Sequence, residues 1–225
     1  LCWLTGTRWY RPEASAEPME GTDKKPVLSI VWTTGLVPLI GAIILQGALR
    51  DGITTWTPSL LNEVFHLQIS ASILTTSLLP LLSIISIFAA SFVQKHIRNE
   101  VKTATLFFAL GMAACVGVFL SMPWSGIISA LFLALATGCM HGVNLMLICR
   151  IPAHYTKFSC VSAISGLLNT FTYVGGALAT FGTASLCDKM GWLFTVALWA
   201  ALALAGTALC VAGLKKWKAF TASTG

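Results

Sequence analysis

The stretch Leu49–Phe65, LRDGITTWTPSLLNEVF, places Arg50 directly after 23 residues without a charge, Val27 to Leu49. A charged side chain at the centre of a bilayer costs between about 3 and 17 kcal/mol, depending on the method, unless it lines a cavity or has a partner. Arg50 therefore either lines a cavity or has a partner within the membrane, or it lies near the membrane surface. If a helix begins at Val27, 23 residues at about 1.5 Å each already cross the hydrocarbon, and Arg50 reaches the outer headgroups. Counting residues leaves both interpretations open.

The composition of the whole chain predicts a membrane protein. It is 56% hydrophobic and only 10% charged, with a mean hydropathy of +0.81, whereas an ordinary soluble domain has about 25% charged residues. The net charge of +6 does not indicate a nucleic-acid partner, because the basic residues occur in short clusters between apolar runs and form no stripe.

Six apolar segments each have close to the ~20 residues with which an α-helix crosses about 30 Å of hydrocarbon. They are too long and too uniformly apolar for barrel strands, and backbone groups in lipid must be satisfied within the segment. We therefore predict an all-α membrane protein with a six-helix transmembrane bundle. The segments are 27–49 (with an extension to 57 left open), 70–94, 103–121, 126–149, 159–186 and 191–214.

Three regions follow from this division. Residues 1–26 are predicted to be the end of a preceding helix and then a cytoplasmic interdomain linker, because 5–26 hold eight charges and three prolines. Residues 27–214 form the six-helix half, and 215–225 a cytoplasmic C-terminal tail. The chain opens without an initiator Met or a signal peptide, so we expect it to belong to a longer protein.

The orientation in the membrane follows from the basic residues, which concentrate in cytoplasmic loops. With the linker inside, the inner loops and tail hold 12 of the 14 Lys and Arg residues, the outer loops hold Lys189, and Arg50 is left over. Both ends are therefore predicted to be cytoplasmic. The twelve are Arg8, Arg11, Lys24, Lys25, Lys95, Arg98, Lys102, Arg150, Lys157, Lys215, Lys216 and Lys218.

No motif predicts an enzyme, a metal site or a cofactor. The chain has no GxSxG, HExxH, P-loop or paired carboxylates. Its seven cysteines show no CxxC and no spacing with histidine, which favours small apolar packing residues. They are Cys2, Cys115, Cys139, Cys149, Cys160, Cys187 and Cys210.

Small residues and prolines within the spans predict close contacts and kinks. Gly138 and Gly142 form GxxxG, a pattern of close helix packing. Gly175, Gly176 and Gly182 lie along a later helix and suggest the same. Prolines 38 and 80 are predicted to kink their helices, as in gating transporters, although passive bundles also contain such prolines.

Three ionisable residues fall within or beside the apolar runs without a place in a cytoplasmic loop: Arg50, Asp51 and His141. Adjacent helix residues point about 100° apart, so a direct Arg50–Asp51 pair is disfavoured, and we expect Asp51 to sit in water. His141 either contacts a substrate or hydrogen-bonds a neighbouring helix. The other polar groups at mid-span depth, which are substrate contacts or interhelical hydrogen bonds, are Asn144, Asn169, Thr170, Thr172 and Tyr173.

The opening stretch resembles the seventh transmembrane helix of the organophosphate:phosphate antiporters of the major facilitator superfamily, the glycerol-phosphate and hexose-phosphate exchangers. Their pattern there is LRxGxxxWxPxxLxE. A second similarity, in the order and spacing of helices 10 to 12, runs from Met146-Leu147-Ile148 through Gly166 to Tyr173-Val174-Gly175-Gly176 and Asp188-Lys189-Met190-Gly191-Trp192. The matching residues of the first pattern are Leu49, Arg50, Gly52, Trp56, Pro58, Leu61 and Glu63.

The resemblance implies the C-terminal half of a 12-helix major facilitator fold, in the inner (plasma) membrane, with the N-terminal half as its partner. It implies transport of a phosphorylated small organic anion in exchange for inorganic phosphate, by alternating access. Arg50 would be one of two arginines that converge on the substrate phosphate, and Tyr173 would lie beside the cavity. Arg150 and Pro152 depart from the pattern and leave the substrate open.

Two further interpretations stay open: a sugar-phosphate sensor that signals without transport, and a major facilitator transporter of another organic anion or a drug.

The predicted helices 2 to 6 contain no Asp or Glu before Asp188, at an outer end. We therefore expect no carboxylate proton relay of the usual kind in this half, and hence coupling by phosphate exchange.

Overall fold

The structure, a computed structural model, describes residues 31–32, 34–66 and 77–224. Four helices come first: α1 (Leu36–Phe65), α2 (Leu78–Ile97), α3 (Glu100–Ser121) and α4 (Gly126–Asn144). A last helical stretch, Val161–Thr224, contains one residue with a non-helical backbone, Gly191. It therefore consists of two helices, α5 (161–190) and α6 (192–224).

Gly191 reverses the direction of the chain. Its φ of 78° and ψ of 173° lie in a region that only glycine adopts readily. Along α1, Gly47 packs on Thr172 of α5 and the later Trp56 donates to the later Thr180 carbonyl, so α1 and α5 run parallel. The contacts with α6 run in the opposite order, because Gly41 faces Leu209 whereas the later Gly52 faces the earlier Trp199. Helix α6 is therefore antiparallel to α1.

The described helices confirm the prediction of an all-α, six-helix bundle. Five stretches are long and apolar enough to cross a membrane by length and composition, and the last of them, Val161–Ala222, contains both α5 and α6. The predicted linker and the predicted starts of the first two helices, at 27–30 and 70–76, lie outside the described residues. The helix ends differ from the predicted ones by several residues, most of all for α1, which continues to Phe65.

The third and fourth helices begin at local signals. The Asn99 side chain accepts a hydrogen bond from the Lys102 amide at 2.9 Å, and the Ser125 hydroxyl accepts one from the Ile128 amide at 3.5 Å. Each side chain thereby satisfies one of the backbone donors that a helix start leaves unpaired.

Apolar side chains occupy both the centre and the outside of the bundle. Leu49 and Ile53 of α1, Phe108 of α3, Met140 of α4 and Trp199 of α6 are buried in the core. Large apolar side chains also cover the outer surface, which suits a surrounding of lipid and not of water. Examples are Phe88, Phe92, Leu120, Trp124, Ile127, Leu178 and Phe181.

Close helix contacts form at some of the predicted glycines. A Cβ at Gly175 would collide with the Ile44 carbonyl of α1, one at Gly138 with Ser86 of α2, and one at Gly142 with Phe107 of α3. No close contact forms at Gly182, where no atom of the described residues lies within 4 Å of an added Cβ. Composition alone does not tell which glycine of a helix faces a neighbour.

The predicted proline kinks are also wrong in their positions. Pro38 and Pro80 are each the third residue of their described helix, where the missing N–H leaves no helix hydrogen bond unmade. The proline inside a described helix is Pro58 of α1, which leaves the Thr54 carbonyl without its usual helical donor.

Two predicted ends continue as helix. After Asn144 the backbone forms a π-helix, Leu145–Arg150, and then a 3₁₀-helix, Ile151–Phe158, in which Pro152 is the second residue. At the other end, α6 extends past the predicted boundary at 214 to Thr224, and Trp217 is fully buried. The segment expected to be a tail therefore contributes to the packing.

A cluster of polar side chains joins one end of the bundle, and we call it the Glu100 cluster: Gln94, Glu100, His154 and Trp217. Gln94 Nε2 donates to Glu100 Oε1 at 3.2 Å, and His154 Nε2 lies 3.3 Å from the same oxygen. Trp217 Nε1 donates to Glu100 Oε2 at 3.4 Å. One carboxylate thus connects α2, α3, α6 and the 3₁₀-helix.

Candidate functional site

Arg50 is the fifteenth of the 30 residues of α1. At about 1.5 Å per residue, roughly 20 Å of helix extends on each side of it. Its side chain is 18% exposed, so the guanidinium is largely enclosed but reachable. The arginine lies at the centre of its helix and not at an end.

Arg50 forms a two-point ion pair with Asp51, which corrects the expectation for that aspartate. Arg50 Nε donates to Asp51 Oδ1 at 2.6 Å, and Nη2 donates to Oδ2 at 3.0 Å. Although adjacent residues of a helix leave the axis about 100° apart, the long arginine side chain bends back across that angle. Asp51 is therefore paired, and like Arg50 it lies at the middle of α1 and not in water at an outer end.

The pair lies between α4 and α5. Arg50 Nη1 donates to Asn144 Oδ1 of α4 at 3.4 Å, close to the limit for a hydrogen bond. On the other side, a Cβ added to Gly176 of α5 would meet the Asp51 carboxylate. Gly176 thus leaves the space in which Asp51 sits.

A cleft of about 300 Å³ opens one turn from Arg50 along α1, between α1, α2 and α4. His141 Nδ1 lies 3.0 Å from the Thr137 carbonyl of its own helix. A carbonyl only accepts, so Nδ1 carries the hydrogen and, in the neutral ring, Nε2 is left as an acceptor. Thr54 also lines the cleft, and its hydroxyl donates to the Arg50 carbonyl at 2.7 Å.

The two remaining predicted site residues lie on α5. Tyr173 is 62% exposed, and it is at the level of Arg50, because Thr172 packs against Gly47 and Gly176 against Asp51. Asn169, one turn earlier, is also exposed. In the part of the chain that the structure describes, neither side chain hydrogen-bonds Arg50. The structure thus joins Arg50 to Asn144, with His141 one turn away, and leaves Tyr173 and Asn169 as exposed groups on the adjacent helix.

The two predicted threonines of α5 bond within their own helix. Thr170 donates to the Gly166 carbonyl at 2.9 Å and Thr172 to the Leu168 carbonyl at 3.3 Å. A different residue supplies an interhelical bond that the sequence analysis missed: the buried Gln46 donates from Nε2 to the Met140 carbonyl of α4 at 3.1 Å. The Gln46 side-chain amide, within an otherwise apolar run, is the feature of the sequence that could have predicted this bond.

Most residues of the LRxGxxxWxPxxLxE pattern attach α1 to its neighbours. Trp56 Nε1 donates to the Thr180 carbonyl of α5 at 3.1 Å, and Glu63 accepts from Trp192 Nε1 at 2.8 Å. Gly52 allows Ala179 and Trp199 to approach. Arg50 differs from these residues, because its shortest bonds go to its own neighbour in the chain.

Two other features bear on chemistry. A cleft of about 290 Å³ between α1, α5 and α6 is lined by apolar side chains, small residues and one threonine, and includes no charged residue. Among the residues that the structure describes, no three His, Cys, Asp or Glu side chains are grouped in a way that would hold a metal ion.

Comparison with known proteins gives one family. No curated protein matches the chain. The model of the Major Facilitator Superfamily matches residues 1–180, which is well over half of the 225 residues. This superfamily consists of membrane transporters. The five helical stretches of this chain that are long and apolar enough to cross a membrane agree with that assignment. The chain therefore belongs to the major facilitator superfamily.

Proposed function

We propose that the protein transports a phosphorylated small organic anion in exchange for inorganic phosphate. The six described helices form the C-terminal half of a 12-helix body in the inner (plasma) membrane. An N-terminal half supplies the other wall of the cavity, and the two halves move against each other so that the site opens to each side in turn.

The observation that carries this proposal is the position of Arg50 at the centre of α1 with a reachable guanidinium. A guanidinium matches two phosphate oxygens with two parallel N–H bonds, stays charged at any working pH and is less strongly hydrated than an ammonium group. These properties suit an anion site in a partly dry cavity.

The contacts of the sequence pattern support the same role. Its tryptophan, glutamate and glycine attach α1 to α5 and α6, so packing accounts for these three residues. Packing does not account for Arg50. Asn144 bonds to Arg50, His141 lies about one turn away, and Tyr173 and Asn169 are exposed on the adjacent helix. We propose these four as further contacts of the substrate.

One of the two arguments for coupling by phosphate exchange does not hold in the structure. Phosphate exchange was expected because no carboxylate was assigned to mid-membrane depth. Asp51 now lies at the middle of α1, so that argument no longer holds, and exchange is proposed on the resemblance alone. The cytoplasmic location of both chain ends is likewise proposed from the distribution of basic residues.

The test is to replace Arg50 in the full-length transporter and to measure binding of inorganic phosphate. Arg50→Lys keeps the charge but loses the two-point geometry, so we expect binding to weaken roughly tenfold to a few hundredfold. Arg50→Ala should abolish binding while the protein still inserts into the membrane.

Arg98→Lys is the matched control, because Arg98 is an exposed arginine in the turn between α2 and α3, and it should bind phosphate like the parent. Parental binding by Arg50→Lys would contradict the proposed function, since a lysine near the surface replaces an arginine equally well.

A further inference from the structure

The Asp51 carboxylate occupies the same edge of Arg50 that a ligand would use. Nε and Nη2 form one side of the guanidinium, and both donate to Asp51. This is the two-point geometry in which arginine binds an external carboxylate or phosphate. The remaining nitrogen, Nη1, makes the 3.4 Å bond to Asn144 and no other within the described part of the chain.

The ion pair holds no helices together. Both partners belong to α1 and are adjacent in sequence, so the bundle does not need this pair in order to pack. The Asp51 side chain is 32% exposed and faces Gly176, which contributes no side chain. Among the described residues the carboxylate accepts hydrogen bonds from Arg50 and from no other helix, so it can leave Arg50 without breaking a hydrogen bond between helices.

We propose that Asp51 is a counter-ion that competes with the ligand for Arg50 and so sets the affinity that a ligand needs in order to bind. This inference rests on the proposed function of Arg50 as the anion site. Asp51 neutralises the arginine when no ligand is bound, and an anion binds by replacing it.

The competition means that only an anion with a strong intrinsic affinity for Arg50 binds well. Asp51 is tethered beside Arg50, so its effective concentration there is far above that of a free carboxylate in solution. A monocarboxylate offers Arg50 the same group that Asp51 already supplies, and it gains little by replacing it. A phosphate dianion carries more charge and more acceptor oxygens, so it displaces Asp51 where a monocarboxylate does not.

The experiment compares two probes, inorganic phosphate and acetate, on the full-length transporter. Asp51→Asn keeps the size and one acceptor oxygen but removes the charge. We expect it to bind phosphate about tenfold more tightly than the parent and to gain a similar factor for acetate, because both anions replace the same carboxylate. Asp188→Asn, at an exposed aspartate of α5, is the matched control and should leave both affinities unchanged.

A second variant, Asp51→Ser, keeps the test valid if Asp51→Asn folds poorly, and thermal unfolding of each variant is measured alongside. Unchanged or weaker phosphate binding in a folded Asp51 variant would overturn the inference. If Arg50→Lys weakens binding in the same assay, only the role of Asp51 fails. If neither Arg50→Lys nor Asp51→Asn changes binding, the proposed function fails as well.

Discussion

The Arg50–Asp51 pair and the Glu100 cluster contain similar chemical groups but differ in what they connect. The shortest bonds of Arg50 go to the next residue of its own helix, and its one described bond to another helix is 3.4 Å long. Glu100 instead accepts from side chains that lie 6 and 117 residues away and also contacts His154.

The difference separates charges that stabilise a fold from charges that are available to a ligand. Removing one partner of a buried hydrogen bond between helices leaves the other unsatisfied, at a cost of about 1–3 kcal/mol. A pair within one helix has no such effect on how helices pack. The three predictions below test this distinction, beginning with the largest expected effect.

Replacement of Glu100 should destabilise the protein. Glu100→Ala leaves Trp217 Nε1 and Gln94 Nε2 without their acceptor, and we expect the free energy of unfolding to fall by about 2–3 kcal/mol. Denaturant titration of the purified protein in detergent measures this. Glu63→Ala is the control, because Glu63 also accepts from a tryptophan but is exposed, and it should cost no more than about 1 kcal/mol. Equal losses of unfolding free energy in Glu100→Ala and Glu63→Ala would contradict the structural role assigned to the Glu100 cluster.

Replacement of Gly176 should change ligand binding more than stability. The Cβ of Gly176→Ala would meet the Asp51 carboxylate and push it away from Arg50, so we expect phosphate affinity to rise several-fold, or about 1 kcal/mol. Phosphate binding to the full-length transporter measures the effect. Gly182→Ala on the same helix, where nothing lies within 4 Å, should leave the affinity unchanged. Weaker phosphate binding by a folded Gly176→Ala would contradict the competition.

The smallest effect is expected at Asn144. Its hydrogen bond to Arg50 is long, at 3.4 Å, so Asn144→Ala should lower the free energy of unfolding by less than about 0.5 kcal/mol and phosphate affinity by less than about threefold. Thr207→Ala on α6, whose hydroxyl donates to the Ala203 carbonyl of its own helix, serves as the comparison. A tenfold or larger loss confined to Asn144→Ala would mean that this amide is a principal contact of the anion and not a weak one.

The sequence by itself determined the fold class and singled out Arg50. Six apolar runs predict six helices, because a backbone in lipid must satisfy its own hydrogen bonds whatever surrounds it. An arginine within such a run is conspicuous because a charge in lipid is costly unless it lines a cavity or has a partner. Both conclusions follow from interactions of the chain with the bilayer, which can be read one segment at a time.

Only the tertiary structure decided how the site is arranged. The sequence analysis rejected the Arg50–Asp51 pair from the angle between adjacent residues, but the enclosing helices and the length of the arginine side chain set its actual direction. Sequence also could not distinguish Gly176, which makes room for Asp51, from Gly182, which faces open space. These outcomes depend on contacts between residues more than 90 positions apart in the chain, such as Arg50 with Asn144, and such contacts exist only once the helices have packed.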